Sequence, residues 1–243
     1  MKPIGLFLLF LLFSLKCFSQ PDPSLFYPGR ILEITKELQY QAIQEDSSKY
    51  HALLWERAEM QVSLLVQSNV STKRTDSTAT KQLINDLNYL IDRDIKIGEG
   101  NFQTTKLDFL LNRGIFYSQS TNYQNALSDY LQIIEMDSSG RFREVALYRI
   151  SITYFAIGNI DLALTYVDQI LDENTSEKKF DNLFYACESG SSLINWKISI
   201  LEKSGRKKEL IQLYRKLIRQ NRKIGWHDNA KCFSEGLKSL KEQ

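Results

Sequence analysis

Two stretches of the chain place apolar and small side chains at the same offsets, and the second begins 37 residues after the first. Within each half of a stretch, the spacing puts these side chains on one face of a helix. The pattern therefore predicts two antiparallel helix pairs, with small residues where the helices approach closely. The matched positions are Leu110, Arg113, Gly114, Tyr117, Ala126, Tyr130 and Ile133 in the first copy and Leu147, Ile150, Ser151, Tyr154, Ala163, Val167 and Ile170 in the second.

Residues that favour short turns separate the two helices of each pair. Asn122 lies between the helices of the first pair, and Gly158 and Asn159 lie between those of the second. Glycine and asparagine tolerate a left-handed backbone, and asparagine also caps helix N-termini. Both links are therefore predicted to be short.

Less regular copies of the same pattern flank the clear pairs, and a Ser- and Thr-rich stretch at 68–80 is predicted to be a loop. Together the copies predict one continuous helical domain over 31–243, preceded by a short linker at 20–30. Its predicted parts are an N-terminal helix at 31–46, weaker pairs at 49–97 and 178–223, clear pairs at 107–140 and 144–177, and a capping helix at 226–241.

The two clear copies resemble the tetratricopeptide repeat, whose first helix carries Leu-Gly-x2-Tyr and whose second carries Ala-x3-Phe. Leu110 and Leu147 stand where the family has Trp, and Ser138 and Thr175 stand where it has Pro. The resemblance implies an all-α fold, a right-handed α-α superhelix of about four helix pairs with a terminal capping helix. A plain helical bundle is the alternative.

The resemblance also implies a binding surface, because arrays of this family bind a protein or peptide partner on the concave face formed by the first helices. In this chain that face would be an apolar groove, with Ser118 and Gln119 as polar neighbours. Alternatively, these side chains are covered by the protein's own helices or form the core between repeats. The groove residues are Trp55, Leu111, Ile115, Tyr148, Ile152, Phe155 and Asn195.

The N-terminus has the layout of a cleaved secretory signal. Lys2 precedes a short apolar run at 4–13, and Cys17-Phe18-Ser19 follows it. This run is shorter than the roughly 20 residues that a membrane span requires. Residues 1–19 are therefore predicted to be a signal peptide cleaved near Ser19 and Gln20, which predicts a periplasmic or secreted protein. An uncleaved anchor and lipid attachment at Cys17 are the alternatives.

Charge is concentrated in one segment. The chain has 31 basic and 29 acidic residues, and loss of Lys2 and Lys16 with the signal peptide would leave it neutral. In contrast, residues 203–223 hold many basic residues and a single acid, Glu209. Six cations of this segment share one arc of a helix, opposite an apolar arc: Lys208, Arg215, Lys216, Arg219, Arg222 and Lys223.

A basic arc of this kind suits an anionic lipid, an acidic polysaccharide or an acidic protein patch, whereas a nucleic-acid partner is not expected for an exported protein. The alternative is an ordinary solvated helix face. The sequence therefore predicts an exported, non-catalytic scaffold that binds a protein or peptide partner through the groove, or else a protein associated with an anionic envelope surface through the basic arc.

No motif for catalysis, a metal or a cofactor is visible in the sequence, and none of these is predicted. The two histidines, His51 and His227, are far apart and lack metal-ligand spacing. Removal of residues 1–19 would leave two cysteines, Cys187 and Cys232, which either form a disulfide in an oxidising compartment or are buried as small apolar residues. A dyad of Cys187 with His227 has no supporting feature.

Overall fold

The computed structural model describes residues 23–44, 47–67, 77–99, 103–175, 187 and 193–242. These residues contain ten helices and no β-strand, apart from an isolated bridge between Ile97 and Thr104, and this confirms the all-α class. The helices are α1 (Pro23–Gln44), α2 (Ser47–Gln67), α3 (Ser77–Asp92), α4 (Lys106–Gln119), α5 (Tyr123–Met136), α6 (Arg141–Ile157), α7 (Ile160–Thr175), α8 (Leu193–Lys203), α9 (Lys207–Lys223) and α10 (His227–Glu242).

Two predicted irregular segments are partly helical. The linker predicted at 20–30 overlaps α1, which begins at Pro23, and the loop predicted at 68–80 overlaps α3, which begins at Ser77. A proline is tolerated in the first turn of a helix, because its amide would have no intrahelical partner there. Pro23 is therefore compatible with the start of α1. The predicted signal peptide at 1–19 lies outside the described residues.

The chain divides into two compact units, one ending at Asn122 and the other beginning at Tyr123. In the first unit each helix packs on the next one along the chain, and α4 also packs on α2. In the second unit each helix from α5 to α9 likewise packs on its successor. The domain predicted at 31–243 is thus divided between two units, at the link between α4 and α5.

The core of the first unit is built from all four of its helices. Its apolar side chains are buried at helical spacing, as an amphipathic pattern requires. They are Ile34 and Leu38 of α1, Leu53, Leu54, Ala58 and Val62 of α2, Leu83, Leu87, Leu90 and Ile91 of α3, and Phe109, Leu110 and Phe116 of α4.

A buried ion pair connects three helices of this unit. The Arg57 guanidinium donates to both carboxylate oxygens of Asp86, at 2.9 and 2.8 Å, and the two side chains are only 7% and 8% exposed. The same guanidinium donates to Thr35 Oγ1 at 3.2 Å. Because an unpaired charge is costly in such a site, the pair fixes α1, α2 and α3 in one register.

The second unit has a continuous hydrophobic core that extends from α6 to α10. Leu147 of α6 packs with the buried face of α7, and Phe233 of α10 closes the other end. The buried residues between them are Ala163, Leu164, Val167, Ile170, Leu171, Leu193, Ile194, Ile198, Ile200, Leu201, Leu210, Tyr214 and Leu217.

Five links between helices share one backbone conformation. In each, a residue with positive φ follows the end of the helix: Asp94 at 49°, Thr121 at 60°, Gly158 at 88°, Gly205 at 70° and Gly225 at 82°. At Gly158 the amide donates to Phe155 O, and the next amide donates to Tyr154 O. This pattern satisfies the last carbonyls of a helix and favours glycine at the left-handed position. The prediction was correct at Gly158, but in the link between α4 and α5 the left-handed residue is Thr121 instead of Asn122.

Candidate partner-binding surfaces

Helix α9 packs in the second unit through its apolar arc, and its basic arc faces outward. Leu210, Tyr214, Leu217 and Asn221 are buried, and α8 and α10 pack against this helix. The six predicted cations lie on the opposite side, and each is exposed. We refer to Lys208, Arg215, Lys216, Arg219, Arg222 and Lys223 as the basic face.

No acidic side chain of the described residues forms an ion pair with the basic face. The acid within the segment, Glu209, pairs at 3.6 Å with Arg206, which precedes α9 and also pairs with Asp161 of α7. Arg206 therefore takes up the two nearby carboxylates. Within the face, Arg219 Nε donates to the carbonyl of Arg215 at 3.4 Å.

A shallow surface depression adjoins the centre of the basic face. Arg215, Ile218 and Arg219 contribute to its lining. Ile218 is half-buried and the two arginines are exposed, and the surface of the depression is mostly apolar.

In the first unit, the predicted groove residues are half-buried. Trp55 of α2 packs edge-on against the fully buried ring of Phe109, with 5.1 Å between the ring centroids. Leu111 and Ile115 of α4 are also half-buried. A large exposed apolar surface was the expectation for a free groove, and these three side chains do not provide it.

In the second unit, an aromatic side chain that the sequence analysis did not single out occupies the space beside the groove residues. Trp196 of α8 packs edge-on against Tyr148 at 6.3 Å and against Phe155 at 5.3 Å. Tyr148, Phe155 and Trp196 border the hydrophobic core, and all three are half-buried. Burial raises the pKa of the Tyr148 hydroxyl. These three side chains pack together at the edge of the core, and each keeps part of its surface exposed.

The remaining groove residues of this unit differ in their contacts. Ile152 is half-buried. The Asn195 side chain donates to the backbone carbonyl of Cys187 at 3.2 Å, so it positions another segment of the chain. Partner binding at the predicted groove remains a prediction.

The two cysteines form a disulfide between Cys187 and Cys232 of α10, with 6.1 Å between their Cα atoms. Of the two alternatives left open by the sequence, pairing is the one in the structure. A disulfide-bonded sulfur is not available as a thiolate nucleophile, and this removes the dyad of Cys187 with His227.

A series of asparagine hydrogen bonds surrounds this disulfide. The Cys187 amide donates to Asn229 Oδ1 at 2.7 Å, and Asn229 Nδ2 donates to Asn221 Oδ1 at 2.7 Å. Asn221 in turn donates to the carbonyl of Leu217, one turn earlier in α9. The cysteine is thus held to α9 and α10 by hydrogen bonds as well as by the covalent bond. Sequence reasoning missed both asparagines, which have no local signal.

The described residues hold neither a cluster of metal ligands nor a membrane-spanning helix. No group of three His, Cys, Asp or Glu side chains in these residues is arranged to hold a metal ion. None of the described helices combines the length and apolar character that crossing a membrane requires.

Comparisons with known proteins give no family for this chain. No protein-family model and no curated protein matches it. Among solved structures, it is similar to the crystal structure of BtubC (BKLC) from P. vanneervenii, with 9% identity, a TM-score of 0.49, and coverage of 89% of this chain and 91% of that chain. At this score and identity the likeness bears on neither the fold nor the function.

Proposed function

We propose that this protein is an exported, non-catalytic scaffold that associates with the cell envelope by binding an anionic partner through the basic face of α9. The observation that carries the proposal is the exposure of six cations on one side of a helix with no acidic partner among the described residues. A half-buried aromatic groove offers less free surface than this face.

The arrangement of these cations is itself unfavourable for the isolated helix. Arg215 lies four residues before Arg219, and Arg219 lies three residues before Arg222. Like charges at these spacings repel one another and destabilise a helix by a few tenths of a kcal/mol per pair. An anionic partner would remove this repulsion, so the face is more stable in a complex than alone.

Two independent features support export. The first is the charged, apolar and small-residue layout of residues 1–19. The second is the disulfide between Cys187 and Cys232, since disulfides persist in oxidising compartments and are rare where thiols are kept reduced.

A pull-down from the native envelope tests the proposal with two matched triple variants. The first removes three charges from the basic face, as Arg215→Gln, Arg219→Gln and Arg222→Gln. The second removes three exposed charges from α10, as Lys231→Gln, Lys238→Gln and Lys241→Gln. We expect the first variant to lose envelope association and the second to retain it, with wild-type association weakening as salt rises. Equal retention by all three proteins would refute the proposal.

A second candidate function is capture of a peptide or protein segment at the predicted groove. The observation that favours it is that Tyr148, Phe155 and Trp196 each keep part of an aromatic surface exposed beside Ile152. Aromatic side chains with this partial exposure are enriched at protein interfaces. Ile152→Lys is the sharpest test, because Ile152 is not one of the packed aromatic rings. Loss of a captured protein in this variant, with helicity unchanged, would support the groove.

A further inference from the structure

We infer that the partner of the basic face is a linear polyanion, a polymer that carries a phosphate or carboxylate group on successive repeat units. This inference rests on the proposed function and specifies the chemistry of its partner. It follows from the linear arrangement of the cations, from the composition of the face and from the geometry of its arginines.

Four of the cations form a straight row along the axis of α9. With 3.6 residues per turn, Lys208, Arg215, Arg219 and Arg222 fall within an arc of about 60°. At a rise of about 1.5 Å per residue, the row is about 21 Å long, and its three arginines are separated by about 6 and 4.5 Å. Lys208 lies about 10.5 Å before Arg215 along the axis, so the row can follow a linear chain of anions although its spacings are uneven. Lys216 and Lys223 lie to one side of it.

The composition of the face argues against a membrane as its partner. The arc that holds the six cations also includes Gln212, which is exposed, and it contains no apolar residue. Peripheral helices bind bilayers through buried apolar area in addition to charge. In α9 the apolar side is already used, since Leu210, Tyr214 and Leu217 are buried in the protein.

A protein partner is also less well matched. The centres of protein interfaces are poor in charged residues, and lysine in particular is depleted there. The basic face is entirely polar, and three of its six cations are lysines. A polymer of repeated anions requires no apolar contact and can pair with every cation in the row.

The arginines supply geometry as well as charge. The planar guanidinium binds the oxygens of phosphate or carboxylate through two parallel N–H donors. Arg219 Nε donates to the Arg215 carbonyl at 3.4 Å, and both side chains are exposed.

The test measures binding of the full exported chain to defined polymers by titration calorimetry at low salt. The probes are inorganic polyphosphate and poly-glutamate, which separate phosphate from carboxylate as the preferred group. We expect the affinity to rise with polymer length until the polymer spans the row of about 21 Å. For longer polymers, the affinity per binding site should stay constant. Arg215→Gln with Arg219→Gln and Arg222→Gln is expected to weaken binding by about tenfold to a hundredfold and to reduce its salt dependence.

Two comparisons make this test specific. The α10 control, with Lys231, Lys238 and Lys241 each changed to Gln, is expected to bind within about twofold of wild type. The charge-conserving variant Arg215→Lys with Arg219→Lys is expected to lose about threefold to tenfold in affinity, because lysine cannot form the bidentate contact. Equal weakening by the α10 control would overturn the assignment of the site.

Vesicles of phosphatidylglycerol and phosphatidylcholine are the competing probe. Binding to these vesicles with no binding to either polymer would overturn the polymer in favour of a membrane. Failure of the polymer experiment is distinguishable from failure of the proposed function. If envelope association still requires the basic face but neither polymer binds, the polymer is wrong and the proposed function stands. If association is also indifferent to the face, both are wrong.

Discussion

The indole N–H of Trp196 donates a hydrogen bond to the hydroxyl of Ser151 at 3.0 Å, and that hydroxyl donates to the carbonyl of Ala163 at 2.8 Å. Ser151 has no solvent exposure. One small side chain in α6 thus connects α7 on one side and α8 on the other. A glycine here would leave Trp196 without this acceptor, which gives a physical reason for serine at the position.

Replacing Ser151 with alanine is expected to lower the free energy of unfolding by about 1 to 3 kcal/mol, because it removes both the acceptor of the Trp196 N–H and the donor to the Ala163 carbonyl. Trp196→Phe removes the donor too, so the double variant should be less destabilised than the sum of the two single variants. Urea unfolding of all three proteins measures this coupling. Strict additivity would show that the hydrogen bond contributes nothing.

Thr153→Val is the matched control for that cycle. Thr153 is as buried as Ser151, but its hydroxyl donates to Arg149 O within its own helix, at 2.8 Å. Its loss is therefore expected to cost less, about 1 kcal/mol or below, and to show no coupling to Trp196→Phe.

Helix periodicity was sufficient to predict the regular part of the fold. The pattern around Leu110 and Leu147 placed α4 to α7 within a few residues of their observed bounds, because the residues that define a helix face are close in sequence. The same reasoning placed the six cations of the basic face on the exposed side of α9. The hand of the superhelix remains a prediction.

Contacts between distant residues could not be predicted in this way. Asp86 lies 29 residues after its partner Arg57, and Trp196 lies 45 residues after Ser151. Neither pairing leaves a periodic signal. For Trp196 a weaker signal did exist, since a tryptophan in an apolar helix requires a hydrogen-bond partner for its N–H. The same limit left the pairing of Cys187 with Cys232 open.

Removal of the disulfide by Cys187→Ser with Cys232→Ser is expected to destabilise the protein by about 4 kcal/mol, since the bond closes a loop between residues 45 apart. The comparison is urea unfolding with and without a reductant. Reductant should lower the stability of the wild type to that of the double variant and leave the variant unchanged. No difference between the two proteins under oxidising conditions would contradict this expectation.

Thr121 occupies a left-handed position at φ 60°, where a β-branched side chain is strained. Thr121→Gly is expected to raise the free energy of unfolding by about 1 kcal/mol, because glycine adopts this conformation without a steric penalty. The reverse exchange, Gly158→Thr, is its control and should destabilise by a similar amount. Thermal unfolding of both variants checks the prediction, which fails if Thr121→Gly lowers the midpoint.

His51 is expected to make the stability of the first unit dependent on pH. Its Nε2 lies 3.4 Å from the Tyr89 hydroxyl, and its ring also contacts Tyr50. Burial lowers the pKa of His51 below its ordinary value of about 6.5, and the nearby charge of Arg93 lowers it further. Between the ordinary and the lowered pKa, the unfolded chain binds a proton that the folded chain does not. Stability should therefore fall as pH falls through this window.

His51→Gln removes the titrating group and should flatten the dependence of stability on pH below about 6.5. His227→Gln, at an exposed position in α10, is the matched control and should keep the wild-type slope. Urea unfolding at closely spaced pH values between about 5 and 8 measures all three proteins. If His51→Gln retained the full slope, the dependence would have to come from other groups. If only this variant lost it, the cluster of Tyr50, His51 and Tyr89 would be the element through which acid weakens the packing of α2 on α3.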